Sequence, residues 1–286
     1  MPSPKVWFIT GSSSGFGRNM TELVLEKGDI AVATLRKPEV IADLAAKYSS
    51  DQLLVIKLDV SKPQEVTAAF AEAVQKYGRI DVVFNNAGYG ILAEVEGTPD
   101  EQARAMFDVN FFGAANVSRE AVRIFRDVNK PQGGRLLQMS SVAVYASSAA
   151  MGYYCASKRA FEGLSEGLAA ELDPDWNIKI TIIESGGFST SGLRSIFRVD
   201  PHPAYTKPTL TPAIVRKYLA SDTFPPGTPS AAGAVDVIYK IAALENPPLN
   251  FPLGKDAVGT AKKKTGELLA NAEQFASWSE DLPVAA

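Results

Sequence analysis

Six short apolar runs rich in β-branched residues recur along this chain, separated by longer stretches of helical character: VWFIT (6–10), IAVATL (30–35), LLVIKL (53–58), DVVFN (81–85), RLLQMS (135–140) and KITIIE (179–184). Runs that are apolar at nearly every position fit strands covered on both faces. Their alternation with helices predicts an α/β chain, doubly wound around a parallel sheet. The stretch 63–77 shows the connecting pattern, with Pro63 at its start, apolar residues at helical spacing and Gly78 at its end. The regular winding stops near residue 190. Of 18 prolines, seven lie in 1–190 and eleven beyond, seven of these between Pro201 and Pro229. A stretch as long and Pro-rich as 191–230 is no simple connection, and such insertions usually form lids or binding loops. Beyond it, 230–244 reads as a helix, LNFPLG (249–254) as a last strand and 255–278 as another helix. We therefore expect one domain over 1–286: a core of 1–190, a lid or insertion at 191–230 and C-terminal helices in 231–286.

Composition removes several classes of function. With 46% apolar and 21% charged residues the chain is neither disordered nor fibrous. A net charge of −3 and a pI near 5.4 leave no positive field for nucleic acid or an anionic membrane. The single Cys155 and single His202 cannot supply the usual Cys/His set of a zinc site, so no metal is expected, and a lone cysteine suits a reducing compartment. The strand-like run begins by about residue 5, leaving no room for a signal peptide, and no apolar run nears the ~18 residues of a membrane span. A cytoplasmic protein is the expectation.

Directly after the first apolar run stands Thr10-Gly11-Ser12-Ser13-Ser14-Gly15-Phe16-Gly17, opening into a helical stretch. Glycines at 11, 15 and 17 permit a tight turn, close approach of backbone to a pyrophosphate and close helix–sheet packing, while the helix N-terminus favours the anion. Ser14 and Phe16 belong to the same loop. An acid at the end of the second strand would hold an adenosine ribose hydroxyl and exclude a 2′-phosphate. Here the chain reads Thr34-Leu35-Arg36-Lys37 instead. The guanidinium of Arg36 can fork onto a phosphate, with Ser12 assisting, which favours NADP(H) over NAD.

Further along, Tyr154 and Lys158 stand four apart in a helical stretch and share one face. An ammonium beside a phenol favours the phenolate and is expected to draw Tyr154 toward neutrality, where a general acid/base works best.

Together, TGxxxGxG (10–17), NNAG (85–88), Asn110, Ser141 and YxxxK (154–158) resemble the short-chain dehydrogenase/reductase family, in family order over about residues 5–190. ATLRKPE and NNAGYG are most similar to its hydroxysteroid and retinol dehydrogenase-like branch. The resemblance implies a Rossmann-type fold and an oxidoreductase of the carbonyl reductase or alcohol dehydrogenase kind. It makes Tyr154 the proton donor to a carbonyl oxygen and Lys158 its support and a contact to the nicotinamide ribose. It implies that Ser141 bonds the substrate oxygen and that Asn110 positions a water leading from Lys158 to solvent. Asp59 and Val60 match the adenine contact, Asn86 and Gly88 the wall beside the adenosine ribose, and Gly187 and Thr190 the nicotinamide end. Two departures stand out: Ser185-Gly186 where the family often has Pro-Gly, and Phe16 where isoleucine is commoner.

An alternative from another class is a sensor that binds NADP without turnover, which predicts a lost tyrosine or lysine; both are present. A sugar-nucleotide epimerase would keep YxxxK but needs a different glycine spacing and a longer chain. Phe188, Leu193, Ile196, Phe197, Tyr205 and Leu219 suggest a largely apolar pocket or lid, hence an apolar carbonyl or alcohol substrate. The resemblance further implies a homodimer paired through about 100–126 and 153–173. His202 is read as an ordinary loop residue, Cys155 as a packed side chain and Lys262-Lys263-Lys264 as a solvated helix face.

Overall fold

Strand β1 (Val6–Thr10) is buried at every position, and its residues alternate between two cores. Trp7 and Ile9 point to one side of the sheet, Val6 and Phe8 to the other. The computed structural model describes residues 3–190, 196–221, 224–280 and 282. Helix α1 (Gly15–Glu26), β2 (Ile30–Leu35), β3 (Leu53–Lys57), α2 (Pro63–Tyr77) and β4 (Val82–Asn85) follow. Then come a long helix α3 (100–128), β5 (Gly134–Met139), α4 (Gly152–Glu171) and β6 (Ile178–Ser185). After the insertion with its helix α5 (Thr211–Leu219), α6 (Ala231–Ala242), β7 (Asn250–Leu253) and α7 (Lys255–Phe275) close the order. The seven strands form one parallel sheet in the order β3-β2-β1-β4-β5-β6-β7.

This is the expected α/β, Rossmann-type architecture. Residues of α1 and α6 pack on the face holding Trp7 and Ile9, while α2, α3 and α4 cover the face holding Phe8. Trp7 stacks on Tyr239 of α6 at 5.1 Å, and both donate to Asp29 Oδ2, from Nε1 at 3.1 Å and from the phenol at 2.8 Å. Helix α2 runs over the predicted span and stops at Gly78, whose φ of 77° only glycine adopts without strain.

Two features were not anticipated. Helix α3 is not uniformly α: Asp108–Gly113 and Ile124–Val128 are π-turns. The insertion has structure of its own, since Phe197–Arg198 pairs in parallel with Ile91–Leu92 and α5 follows. No helix among the described residues is long and apolar enough to cross a membrane.

Candidate active site

The order β3-β2-β1-β4 reverses the direction of winding between β1 and β4, and a cleft opens there at the C-terminal ends of the strands. Its volume is about 1150 Å³. Gly11 (φ 71°) and Gly15 (φ 56°) take left-handed conformations in the turn after β1. A Cβ on Gly17 would lie 2.2 Å from the Gly11 carbonyl oxygen, and one on Gly11 would lie 3.0 Å from Asn86 Nδ2. The turn is therefore closed against the loop after β4 and leaves backbone and the N-terminus of α1 facing the cleft. A pyrophosphate fits this cradle by both space and charge. Gly11, Ser14, Gly15 and Phe16 line it, and Thr190 faces Gly15 from across the cleft.

Ser12 departs from expectation. It is fully buried, donates to the Ile9 carbonyl at 3.1 Å and accepts from Thr21 Oγ1 at 3.3 Å. Its backbone N–H is bound to Thr34 O, so it ties the turn to β2 and offers nothing to a phosphate. Ser13 lines the cleft in its place. Gly17 likewise serves packing and does not line the cleft.

Arg36 lies exposed at the cleft end of β2 with no carboxylate paired to it among the described residues. Asp59, Val60, Asn86 and Gly88 line the same end. Asp59 holds its own loop by accepting from Ser61 N (3.0 Å) and Oγ (2.7 Å). Asn86 does two things: it lines the cleft and donates from Nδ2 to Thr10 O at 2.9 Å, tying β4 to β1. The Ser185-Gly186 departure leaves a loop pinned by hydrogen bonds, Gly186 N to Leu253 O (2.8 Å) and Gly187 N to Asp256 Oδ2 (2.7 Å). Phe16 meets Phe188 edge-on at 5.6 Å.

At the other end, α4 carries Tyr154 and Lys158 on the face toward the cleft, beside Ser141 from the end of β5. Tyr154 hydrogen-bonds Ser141. Burial pushes the Tyr154 phenol above its ordinary value, with the Ser141 bond pulling the other way. The phenol's own burial, not a lowering by Lys158, dominates; the lysine is itself buried, which pushes it down to about 8 against the opposing Glu162 carboxylate. Its ammonium donates to Met139 O at 2.7 Å. Ser140 is turned away and donates to Glu162 Oε1 at 2.6 Å.

Asn110 sits in the first π-turn and does not line the cleft. Its carboxamide is occupied: Oδ1 accepts from Tyr89 N (3.0 Å), while Nδ2 donates to Tyr89 O (2.8 Å) and Ser157 Oγ (3.1 Å). A Cβ on Gly88 would lie 3.0 Å from Asn110 Oδ1 and 3.6 Å from Lys158 Nζ. The side chain thus braces the Gly88–Tyr89 loop against α4.

Residues 5–200 match the sequence model of the short chain dehydrogenase family. The chain belongs to this family. A short-chain dehydrogenase from Streptomyces avermitilis superposes with a TM-score of 0.88 at 31% identity, over 99% of this chain and 100% of that one. An uncharacterized oxidoreductase of Schizosaccharomyces pombe is 37% identical over 90% of this chain and 84% of its own length. An 11-beta-hydroxysteroid dehydrogenase 1A of Arabidopsis thaliana is 31% identical over 64% of this chain and 52% of its own length.

In this short-chain dehydrogenase Met151, Phe188, Ile196 and Phe197 give the cleft an apolar lining. Leu219 packs behind Ile196. Tyr205 turns outward, hydrogen-bonded to Glu96 and edge-on to His202, so it leaves the expected pocket. Leu193 lies outside the described residues. The insertion is fastened by a pair the sequence did not reveal: Arg216 of α5 grips Glu94 through Nε–Oε1 and Nη2–Oε2, both 2.7 Å, and donates from Nη1 to Val199 O. Glu94 is 3% exposed, and the guanidinium holds its carboxyl at about 2. Partners 122 residues apart leave no local signal. Glu162 has a signal in the spacing, since it stands one helical turn after Lys158.

Proposed function

We propose that this short-chain dehydrogenase is an NADP(H)-dependent reductase that converts a ketone or aldehyde to an alcohol, reversibly, in the cytoplasm. The reading is carried by one observation: the hydroxyls of Tyr154 and Ser141 meet at the cleft while Lys158, one turn along α4, is buried beneath. Two hydroxyl donors converging on one point suit an oxygen on which negative charge develops. A nicotinamide cofactor, when bound, supplies the hydride. Gly11, Ser14, Gly15 and Phe16 would hold its pyrophosphate end, Arg36 the 2′-phosphate, Asp59, Val60 and Asn86 the adenosine, and Gly187 and Thr190 the nicotinamide end.

Tyr154 gives its proton to the carbonyl oxygen, and its burial keeps it protonated and ready for reduction at neutral pH. Ser141 donates to the same oxygen. Lys158 lies between charged and neutral near pH 8, which suits it to restore the proton. Asn110 acts as a positioning residue through the Gly88–Tyr89 loop. The apolar lining favours an apolar substrate, and the resemblance to a hydroxysteroid dehydrogenase favours bulky alicyclic carbonyls.

The test is consumption of NADPH, with NADH in parallel, over aromatic, terpenoid, steroid and aliphatic carbonyls, with Tyr154→Phe as control. Turnover that prefers NADPH and vanishes in the variant is expected. Tight NADPH binding without turnover on any carbonyl would favour a sensor, and NADH preference would remove the role given to Arg36.

A further inference from the structure

Beyond its first three turns, helix α7 packs against little among the described residues. Of its residues only Ala257 is buried, and between 265 and 280 every side chain except that of Ala276 is exposed. Leu268 (56%), Leu269 (58%), Phe275 (43%) and Trp278 (77%) point into solvent. In proteins most helical stability comes from packing an apolar face rather than from propensity. The face exists. Val258, Ala261, Thr265, Leu268, Ala272 and Phe275 recur at spacings of three and four. That is an a/d seam, flanked by Leu269, and it suits a second helix.

Charge along the helix identifies the partner. Residues 255–264 hold Lys255, Lys262, Lys263 and Lys264 against Asp256, whereas 265–275 hold Glu267 and Glu273 and no base. This is the reverse of what a helix favours for itself, since its own dipole prefers acids at the N-terminus and bases at the C-terminus. The Lys263–Glu267 pair, 3.9 Å apart, also runs in the weaker orientation. The pattern costs the lone helix and rewards an antiparallel copy, where each basic half meets an acidic half. Seam positions then oppose one another as Val258 with Phe275, Ala261 with Ala272 and Thr265 with Leu268. Parallel pairing would set like charges side by side. An anionic bilayer is disfavoured because the large apolar side chains lie in the acidic half.

We propose that α7 is a self-association element, pairing antiparallel with α7 of a second copy of this chain. The surface is separate from the cleft, so its test does not depend on the reaction proposed above. Full-length Ala261→Cys and Ala272→Cys variants are oxidised singly and as an equimolar mixture, then run on non-reducing gels. The native Cys155 is buried and does not compete. The antiparallel seam predicts a heterodimeric crosslink in the mixture, at least several-fold stronger than in either variant alone. Crosslinking of each variant with itself would overturn the orientation, and none in any sample would overturn the pairing.

A second measurement is particle mass by light scattering. Leu268→Glu with Leu269→Glu is expected to halve the mass while leaving circular dichroism and NADPH binding unchanged. An unchanged mass overturns the proposal, as would a monomeric wild-type chain that sediments with phosphatidylserine vesicles.

Discussion

Substituting Glu94→Gln keeps the shape of the side chain but removes the charge that Arg216 grips. The Glu94 carboxyl stands at about 2 where 4.5 is ordinary, and at ~1.36 kcal/mol for each pKa unit the ion pair contributes about 3 kcal/mol at neutral pH. Breaking one partner of a buried pair costs about 3–5 kcal/mol, which agrees. Because the folded carboxyl is the stronger acid, this stability is present in full above about pH 5. It is lost as pH falls toward 2, so the difference between wild type and variant should shrink over that interval. The loss should be local, because the pair joins α5 to the loop after β4 and contributes nothing to the main sheet. Hydrogen exchange is the direct assay. Amides of 196–219 should exchange on the order of 100-fold faster in Glu94→Gln at pH 7, corresponding to about 3 kcal/mol, while β1 and β4 are unaffected. Equal protection of 196–219 in both proteins, or loosening spread evenly over the sheet, would refute the reasoning.

Other outcomes follow from the same geometry. Arg36→Ala should weaken NADPH binding by about 10- to 100-fold, the worth of a charge-assisted bond, and leave NADH binding unchanged, as read by fluorescence titration. Tyr154→Phe should lower kcat by about 10²- to 10⁴-fold with NADPH affinity intact. Burial raises Glu162 to about 7, so the native protein should lose stability as pH climbs from about 4.5 to about 7, and Glu162→Gln should show a flatter stability profile in urea titrations over that window. Gly17→Ala places a methyl group 2.2 Å from a backbone oxygen, so thermal melts should show a loss of about 1–3 kcal/mol together with weakened cofactor binding.

The strands were legible because burial on both faces forces unbroken apolar runs, and the predicted limits of β1 and β2 match those found. The glycine turn was legible because only glycine tolerates its positive φ angles and close contacts. What local sequence could not show is which way a small polar side chain turns. Ser12 and Ser13 are identical as letters, yet the first is tied into the β1–β2 junction and the second lines the cleft. The same holds for Asn110, whose carboxamide is consumed by a loop twenty-one residues away. Nor does spacing alone reveal how burial weakens a charge: Tyr154 and Lys158 share the face of α4 toward the cleft, but burial raises the phenol and lowers the ammonium. The Glu94–Arg216 clasp depends wholly on tertiary folding, and Tyr205 suits an apolar pocket by residue type while its partner Glu96 holds it outside the cleft.

The π-turn at Asp108–Gly113 makes α3 a helix with one residue too many. The wide turn takes up that residue locally and leaves the flanking turns in place. Deleting a single residue there would let the segment wind as ordinary α-helix and re-aim the side chains within 108–113. The Asn110 brace would then swing off the Tyr89 backbone. In this fold a repair of the helix is an injury to the site, so shortening α3 is a mutational route that stability alone would favour and activity would close.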